Sequence, residues 1–193
     1  DNTQMQFSDY FIAEYNPTNE LKLRARFGLT SLTAERELFY SPDDTRFEDT
    51  DILRKGSYDY TNSKTTKYEG ELTAIYATVL NDKHRINVAV GGNMSEQKTT
   101  LQGYSAEGFP SGDFTYPSFS NGYPEGESPN YTESLSRAVS AYLTGGYAFA
   151  DKYLMDVSYR LNGSSVFGSN KQFINTWSLG LGWNIHNESF IKD

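Results

Sequence analysis

Cysteine is absent from this 193-residue chain. No disulfide scaffold, thiolate metal site or thiol nucleophile is possible within it. Proline is sparse, at 6, and histidine numbers only 2. His84 and His186 stand in separate expected turns, and no His-x-x-x-His spacing occurs, so no transition-metal site is expected. Positive charge is the minority sign: Lys and Arg total 17 against 25 Asp and Glu, a net charge of −8. A nucleic-acid partner, which calls for a basic face, is therefore not expected. Long apolar runs are missing as well. The longest, Ala74 to Leu80, is interrupted by Thr78 and falls far short of the roughly 20 residues of a spanning helix. The mean hydropathy of −0.64 thus excludes membrane helices but not a membrane β-barrel, whose strands alternate apolar and polar residues. Asp1-Asn2-Thr3-Gln4 has neither the basic start nor the apolar core of a signal peptide, so none is expected here.

Aromatic residues are plentiful: Tyr 15, Phe 12 and Trp 2. Much of the chain has period two. Leu21, Leu23, Ala25, Phe27 and Leu29 alternate with Lys22, Arg24, Arg26 and Gly28. Successive strand side chains point to opposite faces, so this is a half-buried β-strand. The pattern recurs at Ile86 to Gly91, Val139 to Tyr147, Tyr153 to Asn162 and Trp177 to Ile185. It is less clean at Phe7 to Tyr15, where Asp9 shares the apolar face, and at Tyr68 to Leu80. About seven strands and no helix are expected. The hairpins fall at 5–30, 66–96 and 136–162, with a last strand at 173–185.

The connections alternate between short and long. Asn16 to Asn19, Asn81 to His84 and Ala150 to Lys152 are turn-forming stretches of hairpin length. The others are expected to be long, from about Ser31 to Ser63 and Gln97 to Glu133, with a shorter one from Gly163 to Phe173. Such loops are uncommon in compact soluble domains. Short turns on one rim and long loops on the other organise an outer-membrane barrel. Tyr15, Tyr147, Phe149, Tyr153 and Trp183 cluster near the short turns, as rings do at a membrane–water interface. Two architectures fit the period: an antiparallel meander within a transmembrane β-barrel, and a soluble exported β-sandwich that binds glycans.

One stretch carries a resemblance. Tyr159-Arg160-Leu161-Asn162-Gly163-Ser164-Ser165-Val166-Phe167-Gly168 is followed by Trp177-Ser178-Leu179-Gly180-Leu181-Gly182-Trp183-Asn184-Ile185 and then Asn187-Glu188-Ser189-Phe190. About 30 residues resemble the SusC/RagA-type TonB-linked outer-membrane transporters. That family has Tyr-Arg, then Asp-Gly-Ser-Ser-Arg-Phe-Gly, a Ser-x-Gly-x-x-Trp-x-Ile strand and a Glu-x-Phe turn. Asn162 stands where the family has Asp, Val166 where it has Arg, and Asn175-Thr176-Trp177 where an aromatic-Pro is usual. The resemblance implies a partial β-barrel over 1–193, in the bacterial outer membrane and in contact with its lipid. A plug domain and signal peptide would precede the segment and are not expected in it. It further implies uptake of oligosaccharide or peptide cargo, with a SusD-like surface lipoprotein and TonB as partners.

No catalytic set, cofactor motif or metal site is expected, and so no enzyme. Phosphate-binding glycine loops are lacking. The acidic run of Asp43, Asp44, Glu48, Asp49, Asp51 and Asp59 offers oxygens suited to Ca²⁺, yet without EF-hand spacing it reads as a solvated loop. The candidate ligand-binding side chains are the loop aromatics Tyr104, Phe109, Phe114, Tyr116, Phe119 and Tyr123, whose rings either stack on cargo or pack the loop onto its own strands. The family-motif loop supplies Asn162, Gly163, Ser164, Ser165, Phe167 and Gly168. Arg24, Arg26, Asp156 and Arg160 lie on the polar face, suited either to a plug or anionic cargo or to a stabilising network.

Overall fold

The computed structural model describes residues 1–166 and 173–191. Phe167 and Gly168, both expected in the family-motif loop, lie outside them. Seven strands form one antiparallel sheet in chain order: β1 (Asn2–Tyr15), β2 (Leu21–Tyr40), β3 (Ser57–Leu80), β4 (His84–Glu107), β5 (Asn130–Phe149), β6 (Tyr153–Ser164) and β7 (Phe173–Trp183). Short 3-10 turns, not α-helices, complete the described residues. The expected seven-stranded meander is the observed one.

The strands reach further than the sequence pattern predicts. β2 continues to Tyr40, β3 begins at Ser57, β4 runs to Glu107 and β5 begins at Asn130. The two long connections shrink to Ser41–Gly56 and Gly108–Pro129. The added stretches, such as Ser57-Tyr58-Asp59-Tyr60-Thr61-Asn62-Ser63-Lys64, carry polar residues on both faces. Hydrophobic alternation marks only strand with one greasy face; ladder hydrogen bonds and Thr or Tyr side chains sustain pairing without it.

Two turns show why the hairpins are tight. Asn81 and Asp82 have φ of 50° and 54°, and Ala150 and Asp151 have φ of 52° and 54°. Lys83 N donates to Leu80 O at 3.2 Å and Lys152 N to Phe149 O at 2.9 Å. Both are therefore I′-type turns, whose twist matches that of the flanking strands.

The chain divides into two compact units. One comprises Asp1–Ser8, Thr30–Thr66 and Lys98–Leu135; the other comprises Asp9–Leu29, Lys67–Gln97 and Ser136–Asp193. The first has a small aromatic core of Tyr58, Ala106 and Phe109, with Phe39, Tyr60 and Tyr104 against it. In the second, register fixes the faces. Leu143 pairs with Tyr159, which pairs with Trp177; Tyr147 pairs with Met155, which pairs with Leu181. On the alternate face Thr144 opposes Ser158 and Ser158 opposes Ser178. The apolar column stays open to its surroundings: Leu143 is 46% exposed, Trp177 75% and Leu181 78%. Among the described residues, no second sheet covers it. A soluble sandwich would bury these side chains, worth roughly 1.5–3 kcal/mol each, so the sandwich architecture is not the one adopted.

Candidate functional site

At the short-turn ends of the second unit, aromatic rings form a row. His84 lies 5.0 Å from Phe149 between ring centroids, Phe149 stacks on Tyr153 at 6.4 Å, and Tyr153 on Trp183 at 6.4 Å. His84 Nδ1 and the Tyr147 hydroxyl are 2.7 Å apart. Rings with an apolar body and a polar tip suit a membrane–water interface. The row ends on a buried carboxylate. Glu188 is 8% exposed and accepts from Lys152 Nζ at 2.7 Å, Tyr153 Oη at 3.0 Å and Trp183 Nε1 at 3.1 Å. The Lys152 hydrogen bond, followed by that of Trp183, holds the Glu188 carboxyl below its ordinary pKa. Asn184 and Asn187 both donate to Asp151 O, at 2.8 and 2.9 Å. The segment Asn184-Ile185-His186-Asn187-Glu188 thus ties the end of β7 to the β5–β6 turn. Sequence reasoning noticed it as a motif without finding this role.

The family-motif residues close the other end of β6. Arg160 Nε donates to Asn162 Oδ1 at 2.8 Å and its Nη2 to Ser140 Oγ at 3.3 Å. A Cβ at Gly163 would come within 2.6 Å of the Phe173 ring and 3.2 Å of Val139, so only glycine fits there. Arg137 and Ser165 exchange two bonds, Arg137 N to Ser165 Oγ and Ser165 N to Arg137 O, each 2.8 Å. Ser164 Oγ accepts from Val166 N at 3.2 Å. Elsewhere on the polar face, Glu14 meets Lys22 at 2.9 Å and Arg24 at 3.6 Å. Arg26 lies over the Tyr10 ring at 4.5 Å. Arg24, Arg26 and Arg160 are therefore each held by a neighbour within the sheet.

The loop aromatics divide. Phe109 is 3% exposed, edge-on to Phe39 at 5.1 Å. Its ring packs in the core of the first unit. Tyr104 packs between Tyr60 at 5.4 Å and Tyr123 at 6.1 Å, and burial pushes its phenol pKa up. Phe114 and Phe119 pair edge-on at 4.9 Å, yet both remain exposed, as do Tyr116 and Tyr123. Two acids of the first loop, Asp44 and Asp51, cap short 3-10 turns. Asp44 accepts from Arg46 N and Nε, both at 3.1 Å, and Asp51 from Leu53 N at 2.8 Å. Among the described residues no cluster of three His, Asp or Glu is placed to hold a metal.

The first unit also has a polar cavity of about 330 Å³, which includes Arg36, Asp59, Tyr60, Tyr104, Ser105 and Asn130 in its lining. Ser105 donates to Asp59 at 2.6 Å. A Cβ at Gly103 would meet Tyr60 O at 2.5 Å, so the close strand approach there requires glycine. Arg36, Ser105 and Asn130 carried no sequence signal, because strand pairing brings them together from distant positions.

No family model matches the chain. Curated relatives do. TonB-dependent receptor P26 of Formosa agariphila is 23% identical over 190 residues, 97% of this chain and 19% of that protein. Receptor P3 of the same organism is 25% identical, over 95% of this chain and 18% of that protein. Receptor P39 is 30% identical over 61% of this chain and 11% of that protein. The chain thus spans about a fifth or less of the relatives it matches. Among solved structures, the RagAB peptide transporter has a TM-score of 0.88 at 22% identity, covering all of this chain and 21% of that one. The siderophore receptor PiuA of Acinetobacter baumannii has a TM-score of 0.53 at 11% identity, covering 94% of this chain and 29% of that one. These relatives are receptors and transporters by name. The resemblance to SusC/RagA-type transporters is borne out by what the chain is similar to: its seven antiparallel strands share the fold of a barrel-wall segment of the RagAB transporter, and its curated relatives are TonB-dependent receptors by name.

Proposed function

We propose that this segment supplies wall and extracellular loops to a TonB-linked importer of peptides or oligosaccharides. No bond is made or broken by it. The apolar faces of hairpins 5–30, 66–96 and 136–162 and of strand 173–185 meet lipid, and the polar faces line the aqueous passage. The observation that carries this reading is the single sheet with one greasy, uncovered face and one hydrogen-bonded polar face. A plug elsewhere in the protein would bring TonB, and a SusD-like lipoprotein would cover the loops. The RagAB neighbours are a peptide transporter by title, which favours peptide as the first cargo to test.

Exposed Tyr116 and Phe119, together with the polar cavity around Arg36, Asp59 and Tyr104, are the proposed cargo contacts. Asn162, Gly163, Ser164 and Ser165 hold the end of β6 against β5, so their role is positional. The test replaces Tyr116 and Phe119 by alanine in the full outer-membrane protein and measures binding of labelled peptide and oligosaccharide libraries. Ring contacts of this kind contribute about 0.5–1.5 kcal/mol each, so the double variant should bind at least several-fold more weakly. Unchanged affinity would remove this loop from the cargo path.

A further inference from the structure

The polar cavity of the first unit, about 330 Å³, holds charges of both signs that the fold does not spend. Arg36 enters it from β2, Asp59 from β3, Ser105 from β4 and Glu127 from the loop before β5. Strand alternation sets the first three on the face away from the aromatic core. Tyr58 and Tyr60 flank Asp59, and Tyr104 and Ala106 flank Ser105; all four flanking residues belong to the core or pack against it. Glu35, beside Arg36, accepts from the Tyr60 hydroxyl at 2.7 Å and so stands on the tyrosine face.

Every other arginine of the chain is held by a carboxylate, by Asn162 or by the Tyr10 ring. Among the described residues, Arg36 is the one arginine whose guanidinium has no partner. It shares the cavity with Asp59 without forming an ion pair. Asp59 accepts from Ser105 Oγ through Oδ1 at 2.6 Å, which leaves Oδ2 open. The Glu127 carboxylate also has no partner among the described residues. Opposite charges kept apart across one cavity are satisfied together by a ligand that carries an ammonium next to an acceptor oxygen. Two carboxylates against one guanidinium make the cationic group the primary anchor. A neutral oligosaccharide offers no charge to either sign, whereas the first residue of a peptide offers the whole set.

We propose that this cavity takes the amino-terminal residue of a peptide cargo. The α-ammonium donates to Asp59 Oδ2 and to Glu127, and the first carbonyl oxygen, which lies beside it, accepts from Arg36. The inference rests on the importer reading and names which end of the cargo enters.

The test is titration calorimetry on the full outer-membrane protein in detergent. The probes are a lysine-free synthetic hexapeptide of alanine, serine and tyrosine, its N-acetylated form, its C-amidated form, a form with a thioamide at the first peptide bond, and an N-acetylated form carrying one lysine. N-acetylation removes a charged donor and should weaken binding roughly 10- to 100-fold, while C-amidation should leave it unchanged. Glu127→Gln should shrink the acetylation loss. The thioamide, a poorer acceptor, should weaken binding to the wild type but cause no further loss in Arg36→Gln. Both side chains are unpartnered, so neither substitution strips a contact from the fold. Equal binding of the free and N-acetylated peptides, recovery of binding by the lysine of the acetylated form, or losses unchanged in both variants would overturn the proposal. The Tyr116→Ala, Phe119→Ala double variant separates the two levels. If it weakens free and acetylated peptide alike while the wild type binds the two equally, only the assignment of the amino terminus fails. If the wild type binds a neutral oligosaccharide and neither peptide, the peptide reading fails with it.

Discussion

Leu143 and Thr144 are neighbours in β5 that point to opposite faces, and the account assigns them opposite solvents. Leu143 lies in the apolar column with Tyr159 and Trp177; Thr144 lies with Ser158 and Ser178. Leu143 is four positions from Tyr147, whose hydroxyl meets His84 of the aromatic row. Four residues give ~14 Å of strand, or about 10 Å of height at barrel tilt, which puts Leu143 close to the bilayer midplane. An arginine on the lipid face at that depth costs ~2–4 kcal/mol. Each 1.4 kcal/mol is a factor of ten, so Leu143→Arg should shift the folding equilibrium by roughly 30- to 700-fold. Thr144→Arg, facing water, should stay within about 1 kcal/mol. The assay is reversible urea unfolding of the full protein in liposomes, with the protein's reference variants measured alongside. Equal destabilisation by both substitutions, or a larger effect at Thr144, would refute the assignment of faces.

Two further outcomes follow from the short-turn rim. Glu188 has a lowered pKa in the fold. Its contribution to stability is therefore fully present above its ordinary value near 4.5 and is lost as pH falls through the lowered folded value. Glu188→Gln should lower the urea midpoint at neutral pH, and the gap from wild type should close on acidification; a gap independent of pH would show that charge is not what matters there. Ala150 holds a φ of 52°, a left-handed conformation that costs an ordinary residue ~1 kcal/mol and asparagine less. Ala150→Asn should stabilise the protein by roughly 0.5–1 kcal/mol in the same unfolding assay, and a loss of stability would contradict the turn assignment.

The legible part of this fold was the part written in greasy alternation. Leu21 to Leu29 and Tyr153 to Leu161 announced strand and face because every second side chain had to meet an apolar surrounding. Ser57 to Lys64 and Gln97 to Glu107 announced nothing, since polar residues stand on both of their faces and their pairing lives in the backbone. The motif around Asn162 to Ser165 was visible, but its purpose was not: Gly163 is needed because Phe173 and Val139 crowd it, a contact made across strands. The loop aromatics looked alike in sequence. Folding separated buried Phe109 from exposed Tyr116, because Phe39 arrives from β2 to cover the first and not the second. Arg36, Ser105 and Asn130 shared no local pattern at all and meet only through the sheet.

The central claim is that the two faces of each wall strand meet different solvents. The chain lacks cysteine, so single cysteines introduced from Tyr153 to Gly163 in β6 can each carry one nitroxide label in this segment. In bilayers, accessibility to oxygen should peak at 153, 155, 157, 159 and 161, and accessibility to a water-soluble nickel complex should peak at 154, 156, 158, 160 and 162. A profile without period two, or one with the peaks exchanged, would contradict the account.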